Sequence, residues 1–127
     1  MFSFSCVRHR PVGRAREQRE TRLETLKQIF SRIILLDPNW PEAWNKRATV
    51  LYLSGEFEKS QNDIDKVLQL EKRHFGALAG QGLVNIQLKN YEKAIESYEK
   101  AKEIYPTMQS PTIMIKQIKE LIRQQLI

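Results

Sequence analysis

The residues capable of acid–base, nucleophilic or metal chemistry are few and widely spaced in this chain. Its two histidines are His9 and His74, and its one cysteine is Cys6. A lone histidine at a predicted helix start is more often a capping or surface residue than a catalytic base or a ligand. One cysteine forms neither an internal disulfide nor a multi-cysteine zinc site. These residues predict neither catalysis nor a bound metal.

Carboxylates and glycines give no stronger indication of catalysis. Asp63 and Asp65 lie two residues apart, so on a helix they face different directions. Gly76, Gly80 and Gly82 fall at the start of or within a predicted helix, and no Lys-Ser or Lys-Thr pair follows them as a phosphate-binding loop requires. The sequence therefore predicts no enzyme and no cofactor, and function is expected to depend on a binding surface.

The segment that can present such a surface is 41–106, where one pattern occurs twice, 34 residues apart. The corresponding pairs are Trp44 and Leu78, Ala48 and Gly82, Leu51 and Asn85, Phe57 and Tyr91, Ser60 and Ala94, Ile64 and Tyr98, Val67 and Ala101, and Leu70 and Ile104. A period of this length, with large and small residues in register, indicates an array of helical repeats. The predicted fold class is all-α.

The apolar spacing and the breaker residues define the helices of this segment. We expect them near 41–53, 57–70, 75–88 and 91–104. Pro41 suits a first helical turn, where no backbone donor is needed. Gly55 supplies the permissive backbone of the first interhelical turn. In the second copy Lys89 and Asn90 take its place, and Asn90 tolerates left-handed geometry better than most residues.

A further helix is predicted ahead of the two copies, from about residue 15 to Leu36. Its apolar residues recur at three- and four-residue steps from Leu23 onward. Asp37 and Pro38 end it, because the proline ring disfavours helical geometry at the preceding residue. Shifted by one period, this helix coincides with the second helix of the first copy. It is therefore predicted to be the second half of an earlier repeat.

The last predicted helix begins at Ser110 and Pro111, a capping residue followed by a first-turn proline, and runs to near Leu126. One face is apolar and the other charged, as a terminal capping helix requires. The predicted organisation is a repeat domain at 21–127, with repeats at about 41–74 and 75–108 and a capping helix at 110–126.

Charge separates a basic leader from this domain. The net charge is +6, and residues 1–22 hold six arginines against two glutamates. Residues 1–20 are predicted to be a disordered or targeting leader, because arginine-rich, acid-poor composition is typical of mitochondrial transit segments. No run of about 18 apolar residues predicts a transmembrane helix. We expect an intracellular, soluble protein, with a mitochondrial or other organellar location as an alternative.

The two copies resemble the tetratricopeptide repeat (TPR) family. The residues that carry the resemblance are Trp44, Ala48, Gly55, Phe57, Ser60, Ile64 and Val67 in the first copy, and Leu78, Gly82, Tyr91, Ala94, Tyr98, Ala101 and Pro106 in the second. The chain departs from the pattern at Arg47, Lys72, Asn85 and Lys89. The phrases EAWNKRATVLYL and RHFGALAGQGL are also similar to those of small bacterial and organelle-type members.

The resemblance implies a right-handed superhelix of antiparallel helix pairs, whose first helices line a concave groove for peptides or partner helices. At the family's groove positions stand Asn45, Lys46, Thr49, Tyr52 and Leu53 in the first copy, and Gly76, Ala79, Gly80, Leu83, Ile86 and Gln87 in the second. The second set is uncharged and offers a shallow apolar channel for a helix. The alternative is that the chain's own last helix or a second copy of the protein fills this channel.

Two other ligands known for such repeats are not expected. Members that clamp the carboxylate of chaperone tails use lysine, arginine and asparagine, whereas Asn45, Thr49 and Gly80 stand here, so no chaperone carboxylate clamp is predicted. Nucleic acid is not expected in the groove either, because its one cation is Lys46. The predicted function is a non-catalytic protein-binding adaptor, scaffold or assembly factor. The alternatives are homo-oligomerisation, and RNA or anionic-membrane binding through the leader.

Overall fold

The computed structural model describes the backbone of residues 2–126 and the side chains of residues 13–126. Its helices are α1 (Phe2–Leu36), α2 (Pro41–Leu53), α3 (Phe57–Leu70), α4 (Phe75–Gln87), α5 (Tyr91–Ile104) and α6 (Ser110–Gln125). Each helix packs against the next along the chain. The predicted all-α superhelix of antiparallel helix pairs is confirmed.

The turns within the two repeats adopt the same left-handed geometry. Gly55 has φ +80°, and Lys89, one period later, has φ +63°. Asn90 has φ −93° and directly precedes α5, so the left-handed residue of this turn is Lys89 and not Asn90. The position in the repeat determines the turn geometry, and Lys89 bears a backbone strain that glycine avoids.

Helix α1 extends further toward the N terminus than the apolar spacing predicts. The spacing reports only the part that packs, and residues 13–22 are exposed on every side. From Leu23 onward α1 packs on α2, with Ile34 buried between them. The predicted leader at 1–20 lies partly outside the residues whose side chains are described, and its targeting or disordered character stays a prediction.

Two clusters of buried residues hold the helix pairs together. The first contains Ala48, Ile64, Val67, Ala77 and Val84. The second contains Ala94, Tyr98 and Ile118, with partly buried Met114, Ile115 and Ile122 of α6 packed around it. Burying each large aliphatic side chain contributes about 2 kcal/mol. Because α6 supplies much of the second cluster, it covers the end of the second helix pair.

The 34-residue register continues into α6. Val50, Val84 and Ile118 are all buried, one in each of α2, α4 and α6. Helix α6 therefore takes the position of a third repeat's first helix. Lys116 stands where Ala48 and Gly82 face their partner helices, and it is exposed. This polar face makes α6 a cap.

Close approach within the second repeat requires a glycine. A Cβ atom built on Gly82 would lie 2.3 Å from Cε2 of Tyr98. The first repeat has Ala48 and Ile64 at the equivalent positions. The larger side chain in α5 is thus accommodated by a smaller residue in α4. The two repeats fill the same helix contact with different pairs of residues, one alanine with isoleucine and the other glycine with tyrosine.

Candidate functional site

A small cavity of about 60 Å³ lies between α2 and α4. From α2 it is lined by Asn45, Thr49 and Tyr52, whose spacing of four and three residues places them on one helix face. From α4 it is lined by Gly76, Gly80 and Leu83, and its other lining residues are Ala48, Ser60, Ile64 and Val84. The structure thus brings six predicted groove residues together: Asn45, Thr49, Tyr52, Gly76, Gly80 and Leu83.

The absence of side chains at two glycines shapes this cavity. A Cβ atom on Gly76 would approach Nδ2 of Asn45 to 3.3 Å. One on Gly80 would meet Cδ1 of Ile64 at 3.5 Å, an ordinary contact. These glycines leave the backbone of α4 accessible beside α2, so a ligand backbone can approach it closely.

Among the described residues, Tyr52 is the one aromatic residue in the lining of the cavity. Its ring packs edge-on against Phe57, with centroids 5.5 Å apart. Nε2 of Gln87 lies 3.5 Å from its hydroxyl oxygen, at the long limit of a hydrogen bond. Gln87 is therefore near the cavity, although it is not part of the lining.

The remaining predicted groove residues do not line the cavity. Lys46 and Leu53 are exposed on α2. Ala79 and Ile86 instead pack against the second cluster, together with residues of α6. Leu83, 38% exposed, is available to a ligand, whereas Ile86 is half-buried by the chain's own helices.

Sequence reasoning did not assign two exposed apolar residues of α6 to the groove. Ile113 lies one period after Ala79, and Leu121 one period after Gln87, and both are exposed. By register they extend the predicted groove positions from α4 onto α6. The same 34-residue shift could have found them, but the polar opposite face of α6 indicated only a cap.

The charges of the first repeat lie away from the cavity, whose lining is uncharged. Nε and Nη2 of Arg47 donate to the two carboxylate oxygens of Asp63 at 2.7 and 2.8 Å, and Nη1 donates to Oγ of Ser31 at 3.1 Å. Hydrogen bonding to Asp63 raises the pKa of Arg47, although desolvation opposes the shift. The guanidinium also lies over the Trp44 ring, 5.1 Å from its centroid. Arg47 is thus a structural cation that joins three helices.

His74 has a structural position as well. Its Nδ1 accepts a hydrogen bond from the backbone N–H of Ala77 at 3.0 Å and caps α4, while Nε2 contacts the carboxylate of Glu42. His9 and Cys6 lie outside the described side chains. Within residues 13–126 no group of three or more His, Cys, Asp or Glu side chains is placed to hold a metal ion. Among the described residues no helix has the length and apolar content needed to cross a membrane.

Comparison with known proteins agrees with this geometry. A sequence profile of the tetratricopeptide repeat matches residues 76–108. A TPR repeat-containing protein of Rhizobium etli is 36% identical over 87 residues, which is 68% of this chain and 43% of the relative. The chain therefore spans less than half the length of that curated relative.

Two solved structures share the fold at low sequence identity. The first TPR of Spaghetti (RPAP3), bound to the HSP90 peptide SRMEEVD, has a TM-score of 0.78 and 17% identity, and 86% of each chain is covered. The second TPR domain of human RPAP3, in complex with the HSP70 peptide SGPTIEEVD, has a TM-score of 0.73 and 19% identity, covering 79% of this chain and 83% of that one. The repeated pattern, the profile match and the Rhizobium etli relative together show that the chain belongs to the tetratricopeptide repeat family.

Proposed function

We propose that this chain is a non-catalytic protein-interaction module, an adaptor, scaffold or assembly factor, that binds an apolar helix or extended peptide in its concave groove. The groove is defined here by Asn45, Thr49, Tyr52, Gly80 and Leu83, continued on α6 by Ile113 and Leu121. The observation that carries the proposal is the uncharged cavity between α2 and α4 with Leu83 exposed beside it.

The groove combines the contacts that a peptide needs. Gly80 admits a close backbone, and Leu83 offers apolar surface whose full burial contributes about 1–2 kcal/mol. The amide of Asn45 can both donate and accept hydrogen bonds to a peptide main chain. The Thr49 hydroxyl donates to the carbonyl of Asn45 at 3.1 Å and keeps an acceptor lone pair. Few polar groups among apolar surface are typical of ligand-binding clefts.

The related TPR domains of RPAP3 support peptide binding, but their peptides end in acidic residues and a C-terminal carboxylate. The cavity described here has no charged lining residue. Because an acidic tail placed there would lose hydration without a paired cation, the proposed ligand is apolar and not a chaperone tail.

The proposal is tested by selecting peptides from a displayed library of amphipathic helices and measuring their affinity by calorimetry. Leu83→Glu should weaken the selected peptides at least about tenfold, because it places a charge in the contact. Leu26→Glu is the matched control, since Leu26 is also 38% exposed but lies on α1. Ile86 is left unchanged because it packs in the second cluster.

Two further measurements make the result decisive. Circular dichroism should show the same helix content in both variants. SRMEEVD and SGPTIEEVD peptides should bind negligibly in the same calorimeter. Unchanged affinity in Leu83→Glu, or tight binding of the acidic peptides, would contradict the proposed groove.

A further inference from the structure

Two surface cavities occupy equivalent positions, one repeat period apart, and both are distinct from the concave groove. One contains the guanidinium of Arg47, and the other has no guanidinium among its described lining residues. The Arg47 groove, of about 390 Å³, includes Arg47, Ser31 and Asp63 in its lining. The Asp65 cavity, of about 580 Å³, includes Asp65 and Gln81. All seven residues that line the Arg47 groove have their 34-residue counterparts in the lining of the Asp65 cavity. One can therefore be compared with the other position by position.

In the Arg47 groove the chain supplies its own cation. The guanidinium of Arg47 donates two hydrogen bonds to Asp63 and one to Ser31. A planar guanidinium matches a carboxylate through two parallel hydrogen bonds, which a lysine ammonium cannot reproduce. Arg47 thus shows which chemical group fits a cavity of this form.

In the Asp65 cavity Gln81 replaces Arg47, and no guanidinium of the described chain reaches the acceptors. The Ser97 hydroxyl, in the place of Asp63, lies within hydrogen-bond distance of two acceptors, Oε1 of Gln81 at 3.0 Å and the carbonyl of Lys93 at 2.8 Å. Asp65, in the place of Ser31, accepts from Nε2 of Gln61 at 2.8 Å. Oε1 of Gln61 is buried and accepts no hydrogen bond from residues 13–126. The acceptor that a ligand can reach is therefore the exposed Asp65 carboxylate, which keeps acceptor positions beyond its bond from Gln61.

The lining of the Asp65 cavity is also more negative than that of the Arg47 groove. The seven residues lining the Arg47 groove include three cations and one anion, whereas their counterparts include one cation and two anions. The remaining cation, Lys93, is the counterpart of Lys59. Since Lys59 and Arg47 both line the Arg47 groove, a lysine at this position is compatible with a guanidinium in the cavity. Of the other charged lining residues, Lys100 lies 3.5 Å from Glu96, and Glu58 adds another anion.

We propose that the Asp65 cavity binds the side chain of an arginine presented by a partner polypeptide. Asp65, which is exposed, accepts the guanidinium in a charge-assisted pair beside the Gln61 carboxamide that donates to it. The cavity shares no lining residue with the cavity of the concave groove. The inference is independent of the proposed function, and either can fail alone.

The test is a nuclear magnetic resonance titration of the full chain with N-acetyl-arginine amide. Saturable shifts are expected at the side-chain amide of Gln61 and the backbone amides of Asp65 and Gln81, with an affinity on the order of millimolar for one side chain. The citrulline and lysine amides should bind at least about fivefold more weakly, since one lacks the charge and the other the planar fork. Free arginine should also bind more weakly, because the lining carboxylates of Glu58 and Glu96 repel its own carboxylate.

Two variants decide the outcome. Asp65→Asn should weaken binding of the arginine amide at least about fivefold by removing the anion. Gln81→Arg combined with Ser97→Asp rebuilds the Arg47–Asp63 pair inside the second repeat and should abolish the shifts. Absence of saturable shifts in the natural chain, equal binding of citrulline amide, or unchanged binding in folded Asp65→Asn would overturn the proposal.

Discussion

Arg47 and Asp63 form a bidentate ion pair across α2 and α3, with Asp63 only 4% exposed. One period later Gln81 and Ser97 occupy the same two positions as a neutral pair, with Oγ of Ser97 3.0 Å from Oε1 of Gln81 and 2.8 Å from the carbonyl of Lys93. The two repeats therefore satisfy the same buried location in two different ways, one ionic and one neutral. Because the two positions are equivalent, the residues of one repeat can be substituted into the other and the stabilities compared.

Breaking the ion pair on one side should destabilise the fold. Arg47→Gln leaves the buried Asp63 carboxylate without its cation, which we expect to cost about 3 kcal/mol. Arg47→Gln with Asp63→Ser copies the second repeat and should recover most of that loss. Urea unfolding followed by circular dichroism measures both. A double variant no more stable than Arg47→Gln would contradict the equivalence of the two pairs.

The contact between Gly82 and Tyr98 should behave as a size-matched pair. Gly82→Ala forces the new methyl group into the ring and should cost about 1–3 kcal/mol, and Tyr98→Ile alone should cost about 2–4 kcal/mol through the cavity it leaves. Together they reproduce the pair of Ala48 and Ile64. Thermal unfolding of the natural chain, the two single variants and the double variant gives the coupling free energy. We expect the double variant to lose less stability than the sum of the two single losses. Simple additivity would argue against the contact.

Sequence register predicted the boundaries of α2 to α6 well, because spacing and turn residues act locally and the spacing repeats every 34 residues. It did not predict that Arg47 pairs with Asp63, since that contact joins two helices at a position where the family pattern prefers an apolar residue. It did not separate Leu83 from Ile86 either. Both lie on α4, but α6 covers only one of them, and the path of α6 across the second cluster depends on tertiary packing.

Lys89 offers a test of the backbone alone. Because Lys89 has φ +63° and an exposed side chain, Lys89→Gly should stabilise the chain by up to about 1 kcal/mol through relief of left-handed strain. Gly55→Ala is the opposite change at the equivalent turn, where an added Cβ meets no atom within 4 Å. It should destabilise by about 1 kcal/mol through the backbone alone. Chemical denaturation of both variants checks the sign, and a loss of stability in Lys89→Gly would contradict it.

Tyr98 should make stability depend on alkaline pH. Its ring is 4% exposed, and desolvation, with a smaller contribution from nearby Tyr52, raises its pKa to about 12. An unfolded tyrosine titrates near pH 10, so below that pH both states keep the proton and Tyr98 contributes no pH dependence. Between about pH 10 and 12 only the unfolded state releases it. Stability should therefore fall as pH rises, by up to about 1.4 kcal/mol per pH unit from this group.

Tyr98→Phe removes the titrating hydroxyl while keeping the ring that faces Gly82. Urea unfolding between about pH 9 and 12 should give a shallower decline in this variant, because its unfolded state lacks one proton to release. Tyr105→Phe is the control, since it makes the same chemical change at an exposed ring, and its decline should match that of the natural chain. If Tyr98→Phe and Tyr105→Phe lose stability at the same rate, burial does not hold the proton on Tyr98.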